Sequence, residues 1–378
     1  MPCITNMKTP LAILVLAVCP HLMASAVDAA ALRSSVASGA ATFRWRLEAG
    51  PSVWLRTRVA YGANASADPS ASAKTDRFYD DGFNRVDASG NLGDGAFGPL
   101  SSRTGYFGFT SDSQVDLKAG TLSLRRTGAG EGLYRDAGDI ADRPSWHVAL
   151  RLSLGEQKPD RRDWGLEGAV DWARFRDSSS GPVSGNVRVL TDAYQLGGVV
   201  PQRAPYSGRF SPLPGDQRIG DVPTRTITQV AGTVTGTRTF SGKADVYRAG
   251  FWWELLPSDT VPPEREAFRW SLFLRGGAAL IHARASFAID EQAQAPGLQP
   301  GARVSAAGSR SKVDLGYFLG ARVRRSFNQR WALLAGVDFL GGYKLRAEQG
   351  DRYALLDLSR VWFLSIGLEY SWDRRDLP

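Results

Sequence analysis

The sequence predicts an all-β fold, a closed antiparallel barrel that crosses a membrane with its strands. Three observations predict it. Hydrophobicity alternates every second residue in segment after segment, the connections alternate between short and long, and tryptophans gather at segment ends. Period two puts successive side chains on opposite faces of a sheet. Short turns at one end and long loops at the other are the layout of a membrane barrel. Aromatic rings at strand ends suit the two lipid–water boundaries.

The N-terminus reads as an export signal over residues 1–26. Lys8 supplies the positive region, "LAILVLAV" the apolar core, and Ala24-Ser25-Ala26 the small-residue cleavage site. A lipoprotein reading at "LAVC" is disfavoured by the bulky Val18 and by Pro20. Both cysteines (Cys3, Cys19) and all three methionines precede the expected cut after Ala26. The remaining 27–378 therefore hold no disulfide, thiol nucleophile or cysteine metal site, which excludes a disulfide-stapled secreted domain. No later stretch approaches the roughly 20 apolar residues of a spanning helix. The formal net charge of +8 is carried mostly by arginine. For an exported chain it points to lipid phosphates or internal carboxylates, with no nucleic-acid partner.

Within the single barrel domain, strands are expected mostly inside 43–372. "FRWRLEAGPSVWLRTRVAY" opens the series with Phe43, Trp45, Leu47, Val53, Leu55, Val59 and Tyr61 on one face, Gly50-Pro51 marking a bend or bulge. "QVDLKAGTLSLRR", "WHVALRLSL", "WGLEGAVDW", "DVYRAGFWWEL", "FRWSLFLRGGAALI", "KVDLGYFLGARVRR", "RWALLAGVDFLGGY" and "VWFLSIGLEYSW" follow. "GYFGF" supplies a tenth strand, and "TRTITQVAGTVTGTRTF" a further hairpin or a ribbon above the membrane. Ten strands are favoured, with eight or twelve as alternatives. Long extracellular loops are expected over about 62–104, 177–243 and 290–310. Short periplasmic turns are expected at "GEQKPDRRD", "PSDTVPPEREA" and "NQR".

If the apolar face meets lipid, the charged face lines the lumen. That assigns Arg46, Glu48, Arg56, Arg58, Arg151, Glu167, Asp171, Arg248, Glu254, Arg269, Arg275, Lys312, Asp314, Arg322, Arg324, Asp338 and Glu369 to an internal charge network. Unpaired charges there would be costly, so mutual pairing is expected. The aromatic girdles are assigned to Trp146, Trp164, Trp172, Trp253, Trp270, Trp331, Trp362 and Trp372.

The last strand carries Ser365-x-Gly367-x-x-Tyr370-x-Trp372, followed by "DRRDLP". It resembles the polar-x-Gly-x-x-hydrophobic-x-hydrophobic signal of bacterial outer-membrane β-barrel proteins. In that family the aromatic usually ends the chain, whereas here six residues follow. The resemblance implies residence in the cell outer membrane and recognition by the barrel-assembly machinery, which pairs with an open strand edge. "YDDGFNRVDASGN" (Tyr79 to Asn91) and "TDAYQLGGVVPQRAPYSG" (Thr191 to Gly208) are similar to loop elements of a group of such proteins without an established activity. The first is a Y-D-D-G-x-x-x-x-D-x-x-G-N element.

Specific chemistry is sparse. Asp87, Ser89 and Asn91 alternate as in calcium loops, beside Asp80, Asp81 and Asp94, but the central glycine and closing glutamate of an EF-hand are missing. No metal site or cofactor is expected. His147 and His282 survive signal cleavage, and His147 with Asp80 or Asp81 is the remaining candidate for a rim hydrolase. No Gly-x-Ser-x-Gly elbow or His-Glu-x-x-His helix supports it, so no catalytic residue is assigned. The leading expectation is a monomer with a structural or surface ligand-binding role. Its partners are outer-membrane lipid and lipopolysaccharide, the latter through loop arginines Arg203, Arg209, Arg218 and Arg225. A narrow anion-preferring channel is the alternative.

Overall fold

The computed structural model describes residues 44–64, 75–85, 103–140, 144–154, 163–208, 217–256, 270–328 and 330–373. The expected signal peptide lies outside them. Among the described residues, eight strands close a ring: β1 (Arg44–Leu55), β2 (Pro144–Ser153), β3 (Trp164–Gln195), β4 (Thr224–Leu256), β5 (Trp270–Gln294), β6 (Val304–Ser326), β7 (Trp331–Gly341) and β8 (Arg360–Asp373). Each pairs antiparallel with its chain neighbours, and β8 returns to β1 with Trp372 opposite Trp45 and Ser365 opposite Ser52. Closure leaves the ring no unpaired edge inside lipid, where an unsatisfied backbone group costs several kcal/mol.

The outward side chains define the membrane band strand by strand. On β5 they run Trp270, Leu272, Leu274, Gly276, Ala278 and Leu280, then change to His282, Arg284 and Ser286. On β6 the band covers Val313 to Val323, on β8 Trp362 to Trp372, and on β3 Trp164 to Trp172. Segments of about 9–11 residues are what a tilted strand needs to cross the hydrocarbon. Trp164, Trp253, Trp270 and Trp331 are exposed at the turn end; Trp146, Trp172 and Trp362 are exposed at the loop end. Trp372 lies at the turn end, half-buried and stacked near Tyr370.

Above the band the pattern inverts. β3, β4, β5 and β6 continue far past the lipid, as strands of 32, 33, 25 and 23 residues. Their inward residues there are mostly apolar, among them Phe175, Phe240, Val246, Ile281, Ala285, Phe287 and Ile289, with one buried ion cluster of Arg238, Glu291 and Arg352. Above the other four barrel strands stands a separate sheet of Lys344–Gln349, Arg352–Asp357, Arg58–Ala63 and Gly132–Asp139, paired in that order. Val59, Tyr61, Leu345, Leu356 and Leu358 from this second wall complete the same core. The interior is thus densely charged at membrane depth and mainly apolar above it.

Several expectations change. The ring has eight strands rather than the favoured ten, because two segments lie outside it. "QVDLKAGTLSLRR" forms Thr121–Ala129, which pairs with the upper part of β3 beyond the membrane. "GYFGF" contributes Phe107–Phe109 to a small sheet with Arg77–Tyr79, Gly82–Asn84 and Tyr206–Ser207. Of the two readings of the Thr-rich stretch, the hairpin falls and the ribbon above the membrane forms: it is the upper half of β4, paired residue by residue with β3. The expected loop 177–243 accordingly shrinks to the connection between Gln195 and Thr224, and 290–310 to that between Gln294 and Val304. Gly50-Pro51 interrupts neither strand nor register with β2. The break comes at Arg56, whose φ of 61° is left-handed. Before it even positions face inward (Ser52, Trp54); after it odd ones do (Thr57, Val59, Tyr61).

Candidate functional site

The charged layer inside the membrane band is the densest cluster of chemistry in the described residues. Inward positions of every barrel strand supply it: Arg46 and Glu48 from β1, His147 and Arg151 from β2, Glu167 and Asp171 from β3, Arg248 from β4, Arg275 from β5, Arg322 and Arg324 from β6, Asp338 from β7 and Glu369 from β8. All are buried. An eight-stranded barrel encloses a space just wide enough for side chains to fill, so these groups meet across it.

They meet as alternating charges. Arg151 contacts Glu48, and reaches Glu167 and Glu369 at 3.3 Å each. Asp338 receives Arg275 (Nε to Oδ1, 2.6 Å), Arg248 at 3.2 Å and Arg322 at 3.6 Å. Arg322 also contacts Glu48, and Arg275 contacts Glu167. Arg248 pairs with Asp171 at 2.8 Å, and Arg324 with Glu369 at 2.7 Å. At the turn end Arg46 donates to Asp163 at 2.7 Å. Each guanidinium presents planar donors that suit several carboxylates at once. That is how a network this desolvated avoids stranded charge.

His147 sits within this layer. Its Nδ1 lies 2.8 Å from Asp171 Oδ1, and its Nε2 lies 2.9 Å from Arg322. A guanidinium can only donate, so the Arg322 contact suits a ring that accepts at Nε2 and donates from Nδ1 to Asp171, with Arg248 Nη2 3.1 Å from both Nδ1 and Asp171 Oδ1. The sequence expectation of a rim histidine therefore changes. His147 is three positions from Pro144, the end of the strand's pairing with β1, yet it is buried beneath the tall upper storey. Asp80 and Asp81 are elsewhere: they accept the backbone N–H groups of Thr127 (2.5 Å) and Arg125 (2.7 Å) and pin their loop to Thr121–Ala129. Burial raises both carboxyls above their ordinary range. Asp87, Asn91 and Asp94 fall outside the described residues, as does Arg269.

Aromatic side chains bound the charged layer on both sides. Above it, Trp54 packs on Phe175 and Phe363, with centroids 5.4 and 4.4 Å away. Arg248 lies over Phe318 and Phe363. Below it, Arg46 lies over Trp252, which packs edge-on against Phe273. These rings and the apolar storey above close the lumen along its described length. A recess of about 1150 Å³ lies instead on the outer wall, lined by outward residues such as Trp253, Leu274, Leu319, Val337, Phe339 and Trp362.

Not every charge assigned to the lumen is there. Arg56 and Arg58 are exposed, because the Arg56 kink reverses the facing of the following residues. Lys312 and Asp314 pair with each other at the solvent-exposed edge of the upper storey. Glu254 is buried at the turn end and accepts the Asp163 N–H at 3.4 Å. Asp163 and the inward Trp54 were missed, the first because it ends a turn segment, the second because it departs from the girdle pattern. The expected lipopolysaccharide arginines are also redistributed. Arg225 holds both Asp192 oxygens (2.7 and 2.6 Å) and Arg218 is buried, so both serve the loop framework. Arg203 is exposed, and Arg209 is outside the described residues. In the terminal signal, Ser365 and Gly367 face inward, while Tyr370 and Trp372 face lipid beside Trp331.

No protein-family model and no curated protein matches the chain. Solved structures similar to it include three bacterial proteins. Ail, the attachment invasion locus protein of Yersinia pestis, is 10% identical over 87% of this chain and 98% of its own, with a TM-score of 0.24. The outer membrane protein OprG from Pseudomonas aeruginosa is 9% identical over 88% and 97%, with a TM-score of 0.30. The outer membrane protease OmpT from Escherichia coli is 5% identical over 88% and 97%, with a TM-score of 0.26. Likeness at this level carries no functional weight.

Proposed function

We propose that the chain is an outer-membrane surface-binding protein whose barrel is a closed anchor. The observation that carries this reading is the sealed lumen: a paired ionic layer between aromatic layers, under an apolar core. Among the described residues this stack is filled by buried side chains, and the charges in its upper part, Arg238, Glu291 and Arg352, are paired with each other, which weighs against the channel alternative. The residues free to meet partners are then the upper storey and its connections, and loops on a rigid scaffold commonly bear function. Hydrolysis at His147 is disfavoured on the same grounds, since its accepting nitrogen is taken by Arg322.

Planar-bilayer recording of the refolded full chain tests this. No stable current steps are expected in concentrated potassium chloride. Reproducible ohmic steps with anion preference would overturn the anchor reading and restore the channel.

A further inference from the structure

The outward face just above the membrane band carries a concentration of cations on three adjacent strands. On β3 the outward residues after Trp172 are Arg174 and Arg176; on β4, beyond Tyr247, they are Asp245 and Lys243; on β5, beyond Leu280, they are His282 and Arg284. Arg174, Arg176, Lys243 and Arg284 are exposed. The register sharpens the picture: Arg174 lies directly opposite Lys243, and Lys243 directly opposite Arg284. Directly opposed side chains stand with Cβ atoms about 4.5–5.5 Å apart, where like charges repel. Three cations therefore stand in one row. Ser311 of β6 extends it opposite Arg284.

Little within the chain neutralises this row. Among the described residues, neither Arg174, Arg176 nor Lys243 has an ion-pair partner, and Arg284 contacts only His282, at 3.4 Å. The neighbouring carboxylate, Asp245, already faces His282 at 3.8 Å. In the buried charged layer, by contrast, Arg46, Arg151, Arg248, Arg275, Arg322 and Arg324 are matched by Glu48, Asp163, Glu167, Asp171, Asp338 and Glu369. The unmatched row, placed within two outward positions of the lipid band, calls for an external anion fixed at the membrane surface.

We infer that Arg174, Lys243 and Arg284, supported by Arg176, bind the phosphates of a phosphorylated glycolipid in the outer leaflet. Its acyl chains lie against the apolar wall below, over Trp172, Tyr247, Ala278 and Leu280. Arginine grips phosphate bidentately, lysine adds a point charge, and a desolvated interface strengthens both. The inference rests on the outer-membrane reading and assigns it a ligand class.

The test uses the folded full chain in mixed micelles with lipid A as the probe. Bis-phosphorylated lipid A is expected to bind at least tenfold tighter than its dephosphorylated form, with affinity falling as salt rises. The Arg174→Gln/Lys243→Gln/Arg284→Gln variant should lose at least tenfold. Arg303→Gln/Arg310→Gln, higher on the same structure, should bind as the parent does. Equal binding by the triple variant, or by dephosphorylated lipid, overturns the inference. Displacement of lipid A by millimolar inorganic phosphate would reassign the row to a free anion and overturn the lipid commitment. Heat-modifiable migration of each variant establishes that it folds. Recovery of the parent chain outside the outer-membrane fraction would sink the wider reading; loss of phosphate dependence in a correctly located barrel sinks only this site.

Discussion

Asp338 carries more of the charged layer than any other carboxylate, with Arg248, Arg275 and Arg322 all directed at it. Removing it leaves three buried guanidinium groups short of a partner. Breaking a buried pair in this way typically costs about 3–5 kcal/mol. Asp338→Ala is therefore expected to lower the unfolding free energy of the bilayer-refolded barrel by that amount, read as a fall in its denaturant midpoint. Gly320 makes an independent check, because it faces Asp338 across the β6–β7 register. A Cβ there would overlap the carboxylate and push it off Arg275. Gly320→Ala should thus destabilise although it removes no charge, and a neutral result would sink the packing argument. At Arg56 the issue is backbone: φ of 61° costs a residue with a Cβ roughly 1–2 kcal/mol. Arg56→Gly should leave the unfolding free energy unchanged or raise it slightly, whereas Arg56→Val should lower it by about 1 kcal/mol or more, since β-branching is hardest to hold there.

The period-two signal reported strands faithfully but did not report which solvent each face meets. β5 shows why. Its outward residues are apolar through Leu280 and polar from His282, while its inward ones turn from Arg275 to Ile281, Phe287 and Ile289. Between them, Gly276, Gly277, Ala278 and Ala279 are small on both faces, so the crossover has no visible marker. The lumen-type reading of Arg56 and Arg58 went astray because the left-handed Arg56 turns the following residues over, and that of Lys312 and Asp314 because they sit at the upper end of the β6 band, partly exposed and paired with each other. The Thr-rich upper β4 forms the ribbon above the membrane that the sequence allowed. The membrane layer was legible because lipid outside and charge inside leave only one phase. Pairings such as Arg151 with Glu369 depend on strand order and register, which no local pattern carries. The inversion predicts a depth effect on one face of one strand. Leu274→Arg, near mid-band, should cost about 2–4 kcal/mol of bilayer stability. Ala288→Arg, on the same face above the band, should change it by less than about 0.5 kcal/mol. Equal effects would mean that the lipid boundary is not at Leu280.

At the scale of the molecule, all the tall structure stands at one end. The connections from β1 to β2, β3 to β4, β5 to β6 and β7 to β8 leave from that end. The others, such as the turn at Asn328, whose side chain accepts the Arg330 and Trp331 N–H groups, lie at the opposite one. A barrel assembled from the periplasm threads its long connections outward and keeps its short turns behind. The upper storey would then face the medium, and the charged layer would be out of reach of any protease. Trypsin acting on intact cells should cut after Lys118, Arg203 and Arg303, which lie outside the barrel strands and are exposed at the tall end. Arg248, Arg275 and Arg322 should resist even in isolated membranes, since each is buried in the ionic layer. Arg330, exposed at the short-turn end, should be cut only after the outer membrane is permeabilised. The comparison is internal to one chain, so differences in expression or total accessibility cancel. Cleavage at Arg330 in intact cells, with Arg203 and Arg303 spared, would mean that the barrel is inserted the other way. The phosphate-binding row would then face the wrong leaflet, and the surface-binding role would fall with it.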